Sequence, residues 1–311
     1  MNLPPDFIST IRNTYKEAGD RFLANLPALM NEAARRWNLT DIQPASNLSY
    51  NFVCYALSSN NRSVVLKIGV PNNELTSEMA ALRLFNGEGA VQLIDCDEAK
   101  GFLLLERLRP GSMLSTLKDD EEATHIAADV MLKIQRPAPQ GDGVFIKLSD
   151  WFEGFKRLRK HFDGGTGPFN KTLVEHAERS VQDFFAEDYI PTLMHGDFHH
   201  YNILLSERGW AVIDPKGVIG PAGYEVGPFL LNPWEEPLNG SRLALSNVEG
   251  FKVRAKKRIY ILSERLGMER ERIREWGIAH AILSAWWGIE DNTGWEYSMA
   301  CAEMLCSLRS A

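Results

Sequence analysis

The sequence is poor in cysteine and has no long apolar run. Its four cysteines form no CxxC pair and have no histidine at zinc-site spacing, which argues against a structural zinc site. The longest apolar stretch, Ile278–Ile289, contains His280 and is well short of the ~20 residues that span a bilayer. The N-terminus lacks the basic flank, apolar run and cleavage site of a secretory signal. We therefore expect a cytoplasmic protein with reduced thiols and no membrane association.

Clustered positive charge is also missing. The net charge is −7 and the pI is near 5.6, whereas a nucleic-acid-binding protein needs a basic surface to neutralise phosphates, so no nucleic-acid partner is expected. The pattern GxxxxGK followed by Ser or Thr does not occur, which excludes a P-loop enzyme. The mild acidity would suit a cationic small-molecule substrate, or simply solubility.

Hydrophobic periodicity predicts a mixed first part of the chain. At 311 residues the chain exceeds what one compact core usually fills, so two lobes are expected. The elements predicted before residue 109 are two helices in Pro5–Trp37, the second beginning near Pro27, a hairpin of Tyr50–Leu57 and Ser63–Ile68, a helix at Asn73–Phe85, and strands at Val91–Cys96 and Gly101–Leu105.

The pattern becomes helical after the sequence Arg109-Pro110-Gly111. Helices are predicted over Thr116–Gln135, Asp150–Phe162, Lys171–Phe185 and beyond Asn247, and only Thr192–Pro215 has short apolar runs around a polar loop. The fold class is therefore α+β, with a small mixed lobe built on an antiparallel sheet at residues 1–108 and a larger, mainly helical lobe at 109–311. The sequence does not decide between a monomer and a homodimer.

The most informative motif lies in the polar loop of the second part. His195-Gly196-Asp197 is followed by Asn202, and a second aspartate, Asp214, ends the next apolar run. This is the catalytic-loop spacing His-x-Asp-x-x-x-x-Asn of phosphoryl-transfer enzymes. Taken alone, Asp197 could equally be a turn aspartate that bonds its own backbone.

The spacing suits phosphoryl transfer, in which a protein supplies position and charge compensation. One carboxylate orients the attacking hydroxyl and takes its proton, while an amide oxygen and a second carboxylate hold Mg²⁺ against the phosphates. We predict that Asp197 is the catalytic base and that Asn202 and Asp214 are metal ligands, because Mg²⁺ requires hard oxygen ligands.

An upstream lysine strengthens this interpretation. Lys67 lies in the apolar strand Val64–Ile68, where a charge that faces the core needs a partner. Glu78 in the following helix would supply that partner, and Lys67 would then bind the α- and β-phosphates of a nucleotide. The alternatives are an edge-strand lysine and a solvated helix glutamate. Lys67 and Glu78 occur in this order upstream of the three motif residues described above. This combination disfavours both alternatives.

Two further stretches are predicted to contact the nucleotide. Glu106 and Leu108 lie where the last strand of the first lobe meets the lobe boundary, so their backbone could hydrogen-bond an adenine edge. A buried strand that leads into a linker would use the same residues. Ser49 lies in the turn Ser46–Asn51, which takes the place of a phosphate-covering loop although no GxGxxG precedes Lys67.

These motifs together resemble the aminoglycoside phosphotransferase superfamily, which shares the protein-kinase-like fold, and within it the streptomycin 6-kinase and hydroxyurea phosphotransferase branch. The resemblance lies in the stretches Val64–Ile68, Leu103–Arg109 with Gly111, His195–Asp197, Ile213–Gly217, Gly223–Val226 and Asn232–Trp234. It implies a bilobal kinase fold, ATP and Mg²⁺ as cofactors, and a small hydroxylated or N-hydroxylated substrate such as an aminoglycoside. It also implies the roles given above for Asp197, Asn202, Asp214, Lys67 and Glu78.

The segment after Asp214 departs from the protein-kinase pattern. Pro215-Lys216 replaces the Phe-Gly of protein kinases, and only a short segment separates Asp214 from Glu225. That leaves little room for a phosphorylatable loop, which argues against a peptide substrate. Lys216 either faces the transferred phosphate or is simply exposed. Glu225 is expected to brace the catalytic loop through backbone hydrogen bonds rather than to take part in the chemistry.

The substrate site is expected in the helical lobe. A polyamine-like substrate would need carboxylates from the helical lobe, and the candidates are Asp150, Glu153, Glu235, Glu290 and Asp291. The later ones lie among tryptophans, a combination that suits cations. Ordinary helix-face charge beside core tryptophans explains the same pattern.

Three functions are compatible with these residues. The leading one is Mg-ATP-dependent phosphorylation of a hydroxyl on an aminoglycoside-like molecule or hydroxyurea, with antibiotic resistance as its consequence. A kinase of a cellular metabolite, such as a sugar, amino alcohol or glycated amine, would use the same mechanism. A nucleotide-binding protein without catalysis is disfavoured, because none of the five key positions is degenerate.

Overall fold

A computed structural model describes residues 3–141, 143–233 and 245–308. Its first part is built on a five-stranded sheet in which every neighbouring pair of strands is antiparallel, with the order β1-β2-β3-β5-β4. The strands are β1 (Thr40–Pro44), β2 (Phe52–Leu57), β3 (Ser63–Ile68), β4 (Leu93–Asp97) and β5 (Phe102–Glu106). The predicted hairpin is confirmed as β2 and β3. Strand β1 was not predicted, and its residues are mostly exposed.

The central strand of this sheet carries Lys67. In β3 this residue pairs with Val53 of β2 on one side and Leu103 of β5 on the other, so the interpretation of Lys67 as an edge-strand lysine is wrong. Helix α2 (Asn73–Phe85) follows β3 with the predicted bounds. Asn72 caps it by accepting the Leu75 N–H at 2.9 Å, which satisfies one of the helix's unpaired N–H groups.

The first helix bends at Lys16 rather than at Pro27. Helix α1 (Pro5–Arg36) has a residue outside helical geometry at Lys16, with φ of 52°, and Pro27 lies inside the second segment. The two segments pack against each other at Gly19, because a Cβ on this residue would lie 2.4 Å from the carbonyl oxygen of Ile11. Arg12 and Asp20 add an ion pair at 2.9 Å across the bend. Two helices were expected, but their boundary was placed eleven residues too late.

The second part of the chain is mainly helical, as predicted. Its helices are α3 (Asp120–Ile134), α4 (Leu148–His161), α5 (Lys171–Ala186), α6 (Val226–Leu231), α7 (Leu245–Leu266), α8 (Arg270–Glu290) and α9 (Glu296–Ser307). Helix α3 begins later than expected because Asp119 caps it, accepting the N–H groups of Glu121 and Glu122. The first turn of α3 is acidic, which suits the helix dipole.

Two small sheets position the loops of the second part. Their strands are β6 (Pro110–Met113), β7 (Arg136–Pro137), β8 (Ile146–Lys147), β9 (Thr192–Met194), β10 (Ile203–Ser206), β11 (Gly209–Val212) and β12 (Val218–Gly220). The sheet orders are β11-β10-β6 and β7-β9-β12-β8. The lobe boundary predicted between residues 108 and 109 stays a prediction, and it falls between β5 of the first sheet and β6, which pairs with β10.

Buried apolar side chains hold each part together. The largest cluster lies among the helices of the second part and includes Trp276, Tyr224, Phe229 and Phe198, all fully buried. A second cluster joins α1 to one face of the five-stranded sheet through side chains such as Phe7. Burial of this kind supplies most of the driving force for folding, at roughly 25 cal/mol per Å² of apolar surface.

Within the described ranges, we find no helix with the length and apolar character needed to cross a membrane.

The bend at Lys16 gives a first prediction. Gly19→Ala should lower the free energy of unfolding by about 1–3 kcal/mol, because its Cβ would meet the Ile11 carbonyl. The matched control is Gly250→Ala in α7, where a Cβ meets nothing within 4 Å and alanine should instead stabilise the helix by up to about 1 kcal/mol. Urea denaturation of both variants measures the difference. Equal stability of the two variants would contradict the packing of the bent helix.

Candidate active site

Two neighbouring loops form the base of the candidate site. The loop from His195 to Asn202 joins β9 to β10, and the segment from Asp214 to Gly217 joins β11 to β12. Backbone hydrogen bonds tie them together: the Ile213 N–H donates to the Asn202 carbonyl at 2.9 Å and the Lys216 N–H donates to the His195 carbonyl at 2.7 Å. The two predicted stretches of functional residues are therefore adjacent in space.

A buried ion-pair network connects these loops to the first sheet. Lys67 Nζ lies 2.7 and 2.8 Å from the two carboxylate oxygens of Glu78, so the ion pair expected from the sequence is present. The same ammonium lies 3.0 Å from Oδ1 of Asp214. Strand β3, helix α2 and the segment after β11 thus meet at one buried nitrogen.

The charges in this network determine its protonation. Burial alone would lower the pKa of Lys67, but Asp214 and Glu78 outweigh it and raise that pKa above its ordinary value. For the acid Asp214, burial alone would raise the pKa. The positive charges of Lys67 and Lys216 outweigh this effect and hold the pKa of Asp214 below its usual range. The ammonium and the Asp214 carboxylate are therefore both charged at neutral pH.

Asp214 has a strained backbone and an accessible carboxylate. Its φ of 56° is unusual for a residue other than glycine, and such conformations persist where the surrounding structure imposes them. Its side chain is 51% exposed, whereas Lys67 is only 4% exposed. One carboxylate group thus faces both the buried lysine and the solvent side of the site.

Asp197 lies at the turn of the first loop, where it contacts His199. Its Oδ1 is 3.5 Å from His199 Nε2, and its side chain is 41% exposed. Burial opposes ionisation of Asp197, but His199 and Lys216 outweigh it and hold the pKa of Asp197 below its usual range. The carboxylate is therefore ionised, as an acceptor of a hydroxyl proton requires.

The amide of Asn202 has a defined orientation. Its Nδ2 donates to the Asp197 carbonyl at 3.0 Å and lies 3.3 Å from His199 Nε2. An amide oxygen placed against a carbonyl oxygen would be repelled, so the nitrogen is assigned there and the amide oxygen is the atom available to a cation. Among the described residues, no group of three or more His, Cys, Asp or Glu side chains gathers as a metal site. An amide oxygen and a carboxylate nevertheless form the hard donor set that suits Mg²⁺.

Glu225 braces the catalytic loop, as the sequence predicted. Its two carboxylate oxygens accept backbone N–H groups, one from Gly196 at 2.7 Å and one from His195 at 3.1 Å. Burial raises the pKa of Glu225 to about 7, although these two hydrogen bonds oppose the shift. Glu225 is fully buried and holds the two residues before Asp197 in place.

The other predicted nucleotide contacts lie on the sheet side. Ser49 is exposed in the turn between β1 and β2. Glu106 ends β5, where its side chain accepts the Gln92 N–H at 2.9 Å and pairs with Arg208, while Leu108 is buried. The backbone roles proposed for Glu106 and Leu108 stay predictions.

The candidate substrate carboxylates separate into two groups. Glu290 accepts two hydrogen bonds from Arg157, at 2.7 and 3.2 Å, and Glu153 pairs with Lys156 at 2.7 Å, so both already have cationic partners. Asp150 and Asp291 are exposed. Glu235 lies outside the described residues.

Asp291 is the candidate carboxylate that the structure connects to the site. Its charge acts on Tyr50, in the turn that precedes β2, and the same hydroxyl also interacts with Lys216 and Asp197. Burial raises the pKa of Tyr50, and Asp291 raises it further. The turn before β2 and the end of α8 therefore lie within electrostatic range of each other, and Tyr50 in that turn is also within range of Asp197.

Sequence reasoning missed several polar neighbours of Asp197. His280 and Tyr224 form a buried pair, with 2.9 Å between His280 Nδ1 and the Tyr224 hydroxyl, and both interact electrostatically with Asp197. Glu74, in the first turn of α2, was also missed, and it pairs with Lys216, which the sequence had already singled out. The residues on α8 and α2 are distant in sequence from the motif, and a lone histidine on an apolar helix carries no signal of its own.

Comparison with solved structures identifies the fold. The structure resembles an aminoglycoside phosphotransferase solved with ADP and hygromycin B, with a TM-score of 0.59 and 14% identity, covering 90% of this chain and 99% of that one. It also resembles a choline/ethanolamine kinase family protein from Mesorhizobium loti, with a TM-score of 0.60 and 13% identity, covering 90% and 95%. The predicted α+β, protein-kinase-like fold is confirmed.

Sequence comparison then identifies the family. Residues 36–292 match the family described as aminoglycoside/hydroxyurea antibiotic resistance kinase, and the chain belongs to this family. It is 27% identical to a streptomycin 6-kinase of Streptomyces glaucescens, over 94% of this chain and 92% of that protein. It is 28% identical to a hydroxyurea phosphotransferase of Kitasatospora aureofaciens, over 94% and 81%. The resemblance seen in the sequence is confirmed, and the chain is a phosphotransferase with an alcohol group as acceptor.

The buried histidine next to Tyr224 gives a prediction on pH. Burial lowers the pKa of His280 to about 4, whereas the unfolded chain takes up this proton near pH 6.5. Its contribution to stability is therefore complete above pH 6.5 and is lost as the pH falls from 6.5 to 4. Between pH 7.5 and 5 this loss amounts to about 2 kcal/mol for one histidine.

His280→Gln should reduce the pH dependence of the free energy of unfolding by this amount. The control is His125→Gln, at an exposed position of α3. Urea denaturation at pH 7.5 and pH 5 measures both variants. If His280→Gln showed the same pH dependence as the parent protein, burial of a neutral His280 would be wrong.

The brace formed by Glu225 gives a further prediction. In Glu225→Gln, one of the two acceptor oxygens becomes an NH₂ group that faces a backbone N–H, so one buried donor loses its partner. We expect a loss of about 1–3 kcal/mol in the free energy of unfolding and reduced turnover, because the loop that carries Asp197 shifts. Denaturation and turnover assays compare it with Glu264→Gln, at an exposed position of α7. Two equally stable and active variants would rule out the brace.

Proposed function

We propose that this chain transfers the γ-phosphoryl group of Mg-ATP to a hydroxyl of a streptomycin-type aminoglycoside or of hydroxyurea. The observation that carries this proposal is the convergence of Lys67, Glu78 and Asp214 at one buried nitrogen, beside the loop of Asp197 and Asn202. The named relatives, streptomycin 6-kinases and a hydroxyurea phosphotransferase, support this choice of acceptor.

The proposed roles follow from the geometry. Lys67, held by Glu78, would bind the α- and β-phosphates, and Ser49, Glu106 and Leu108 would contact the nucleotide from the sheet side. Asp214 and Asn202 would hold Mg²⁺, which neutralises the phosphates and polarises the transferred group when bound. In this arrangement the nucleotide lies between a lobe of residues 1–108 and a lobe of residues 109–311.

Asp197 would act on the acceptor. Its ionised carboxylate accepts the proton of the attacking hydroxyl as the oxygen forms a bond to the γ-phosphorus, and the bond between that phosphorus and the bridging oxygen of ADP breaks. Glu225 acts through the backbone by fixing the loop, so that the carboxylate and the acceptor oxygen meet in one position.

Aromatic side chains beside the loop support a cationic acceptor. Trp151 and Trp287 pack edge to face with ring centroids 5.4 Å apart, and both are partly exposed. A Cβ on Gly196 would lie 3.1 Å from the Trp151 ring, so Trp151 adjoins the residue before Asp197. Exposed carboxylates at Asp150 and Asp291 neighbour the two tryptophans in sequence, and aromatic faces with nearby acids attract cations.

The test is ADP release with a panel of acceptors. Streptomycin-type compounds, hydroxyurea and cellular sugars or amino alcohols are assayed with Mg-ATP, and the true acceptor class is the one with much the highest kcat/KM. Asp197→Asn should lower kcat by about 10²–10⁴-fold, because it removes the proton acceptor and keeps the shape.

The control for this test is Asp183→Asn, which alters an exposed carboxylate of α5 without a role in the proposed site. Wild-type turnover in Asp197→Asn would show that the assigned base is wrong. If only the sugars or amino alcohols were phosphorylated, the proposed antibiotic acceptor would be wrong and the acceptor would be a cellular metabolite.

A further inference from the structure

The backbone of Lys216 is held between the catalytic loop and helix α2. Its N–H donates to the His195 carbonyl at 2.7 Å, two residues before Asp197. The next residue, Gly217, accepts a hydrogen bond from Ser77 Oγ at 2.8 Å, and a Cβ at Gly217 would lie 2.7 Å from the Ser77 carbonyl oxygen. The direction in which the Lys216 side chain leaves the backbone is therefore fixed from both sides.

The side chain of Lys216 ends within the site. Its ammonium pairs with Glu74 in the first turn of α2, and the side chain is 31% exposed. Its charge also acts on Asp197 and Asp214. Of the two alternatives that the sequence left open, simple exposure does not describe this position.

The loop that carries Asp197 has no lysine or arginine that could take the place of Lys216. Lys67 is engaged by two carboxylates, Glu78 and Asp214, on the buried side of the site. The loop from His195 to Asn202 contains histidines but neither lysine nor arginine. A phosphoryl group in transfer carries its charge on three oxygens, and a cation placed beside them is a principal source of rate enhancement.

We propose that Lys216 is a catalytic residue that leaves Glu74 and contacts the transferring phosphoryl group. This inference rests on the proposed function, because it assumes that the phosphoryl group passes between Asp214 and Asp197. The acceptor oxygen forms the new bond to phosphorus, its proton goes to Asp197, and the electron pair of the broken bond stays on the ADP oxygen. Lys216 keeps its proton throughout and compensates charge on the phosphoryl oxygens.

A different role would use the same ion pair. Lys216 and Glu74 could act only as a clamp between the segment after β11 and helix α2. A clamp needs both partners equally, so removal of either one would have the same effect. A catalytic Lys216 needs Glu74 only as a resting partner, so the loss of Lys216 would lower turnover and the loss of Glu74 would not.

The experiment compares Lys216→Met, Lys216→Arg and Glu74→Gln in the full chain. We expect Lys216→Met to lower kcat by about 10²–10³-fold, as loss of one charge-stabilising donor does, while the KM for ATP changes by less than about threefold. Lys216→Arg should recover part of kcat, and Glu74→Gln should keep kcat within about threefold of the parent protein. Equal losses in Lys216→Met and Glu74→Gln would show a clamp and overturn the proposal.

A binding measurement separates this inference from the proposed function. Affinities for ADP and for ADP with aluminium fluoride and Mg²⁺, which imitates the transferring phosphoryl group, are measured without any acceptor. Lys216→Met should bind ADP normally and lose at least about tenfold in affinity for the aluminium fluoride complex. Unchanged affinity for both ligands would overturn the role of Lys216 even if Asp197→Asn is inactive. If Lys216→Met fails to fold, turnover of Glu74→Gln distinguishes the two roles. Loss of turnover in Glu74→Gln is expected only if the ion pair acts as a clamp.

Discussion

One buried ammonium group connects the separate parts of this structure. Lys67 lies in the central strand of the sheet and is almost without solvent contact, so its charge is tolerated only because Glu78 and Asp214 approach it from two other elements. Removing one partner of such a buried pair typically costs about 3–5 kcal/mol, since the remaining charge is left unpaired. The contact therefore fixes the position of α2 and of the segment after β11 relative to the sheet.

The loop that carries Asp197 has a second, independent support. The Glu225 carboxylate accepts two backbone N–H groups of this loop. The Lys216 N–H donates to the His195 carbonyl and so connects the loop to the segment after β11. The candidate catalytic side chains are thereby held by backbone hydrogen bonds as well as by their own contacts. Phosphoryl transfer depends mainly on position and charge, so rigid support of this kind is what the reaction requires.

Much of the fold and of the site could be predicted from the sequence, for identifiable reasons. The hairpin, α2 and the spacing around Asp197 are local patterns, and Lys67 was conspicuous because a lysine in an apolar strand needs a partner. The short strands β6, β7 and β8 were missed because each depends on a pairing partner far away in sequence. The bend at Lys16 was misplaced because Pro27 is a visible signal, whereas the close contact between Gly19 and Ile11 is a tertiary one.

The balance of charge in the site favours the proposed binding of a divalent cation together with the nucleotide. Among the described residues, the carboxylates of Glu74, Glu78, Asp197 and Asp214 outnumber the ammonium groups of Lys67 and Lys216, which leaves an excess of negative charge although burial raises the pKa of Glu78 to about 7. A nucleotide alone would be repelled by this excess, and a divalent cation alone would neutralise it. A divalent cation would offset this excess as the phosphates approach the carboxylates. The proposed release of Lys216 from Glu74 would move a positive charge that is already in the site towards the acceptor side.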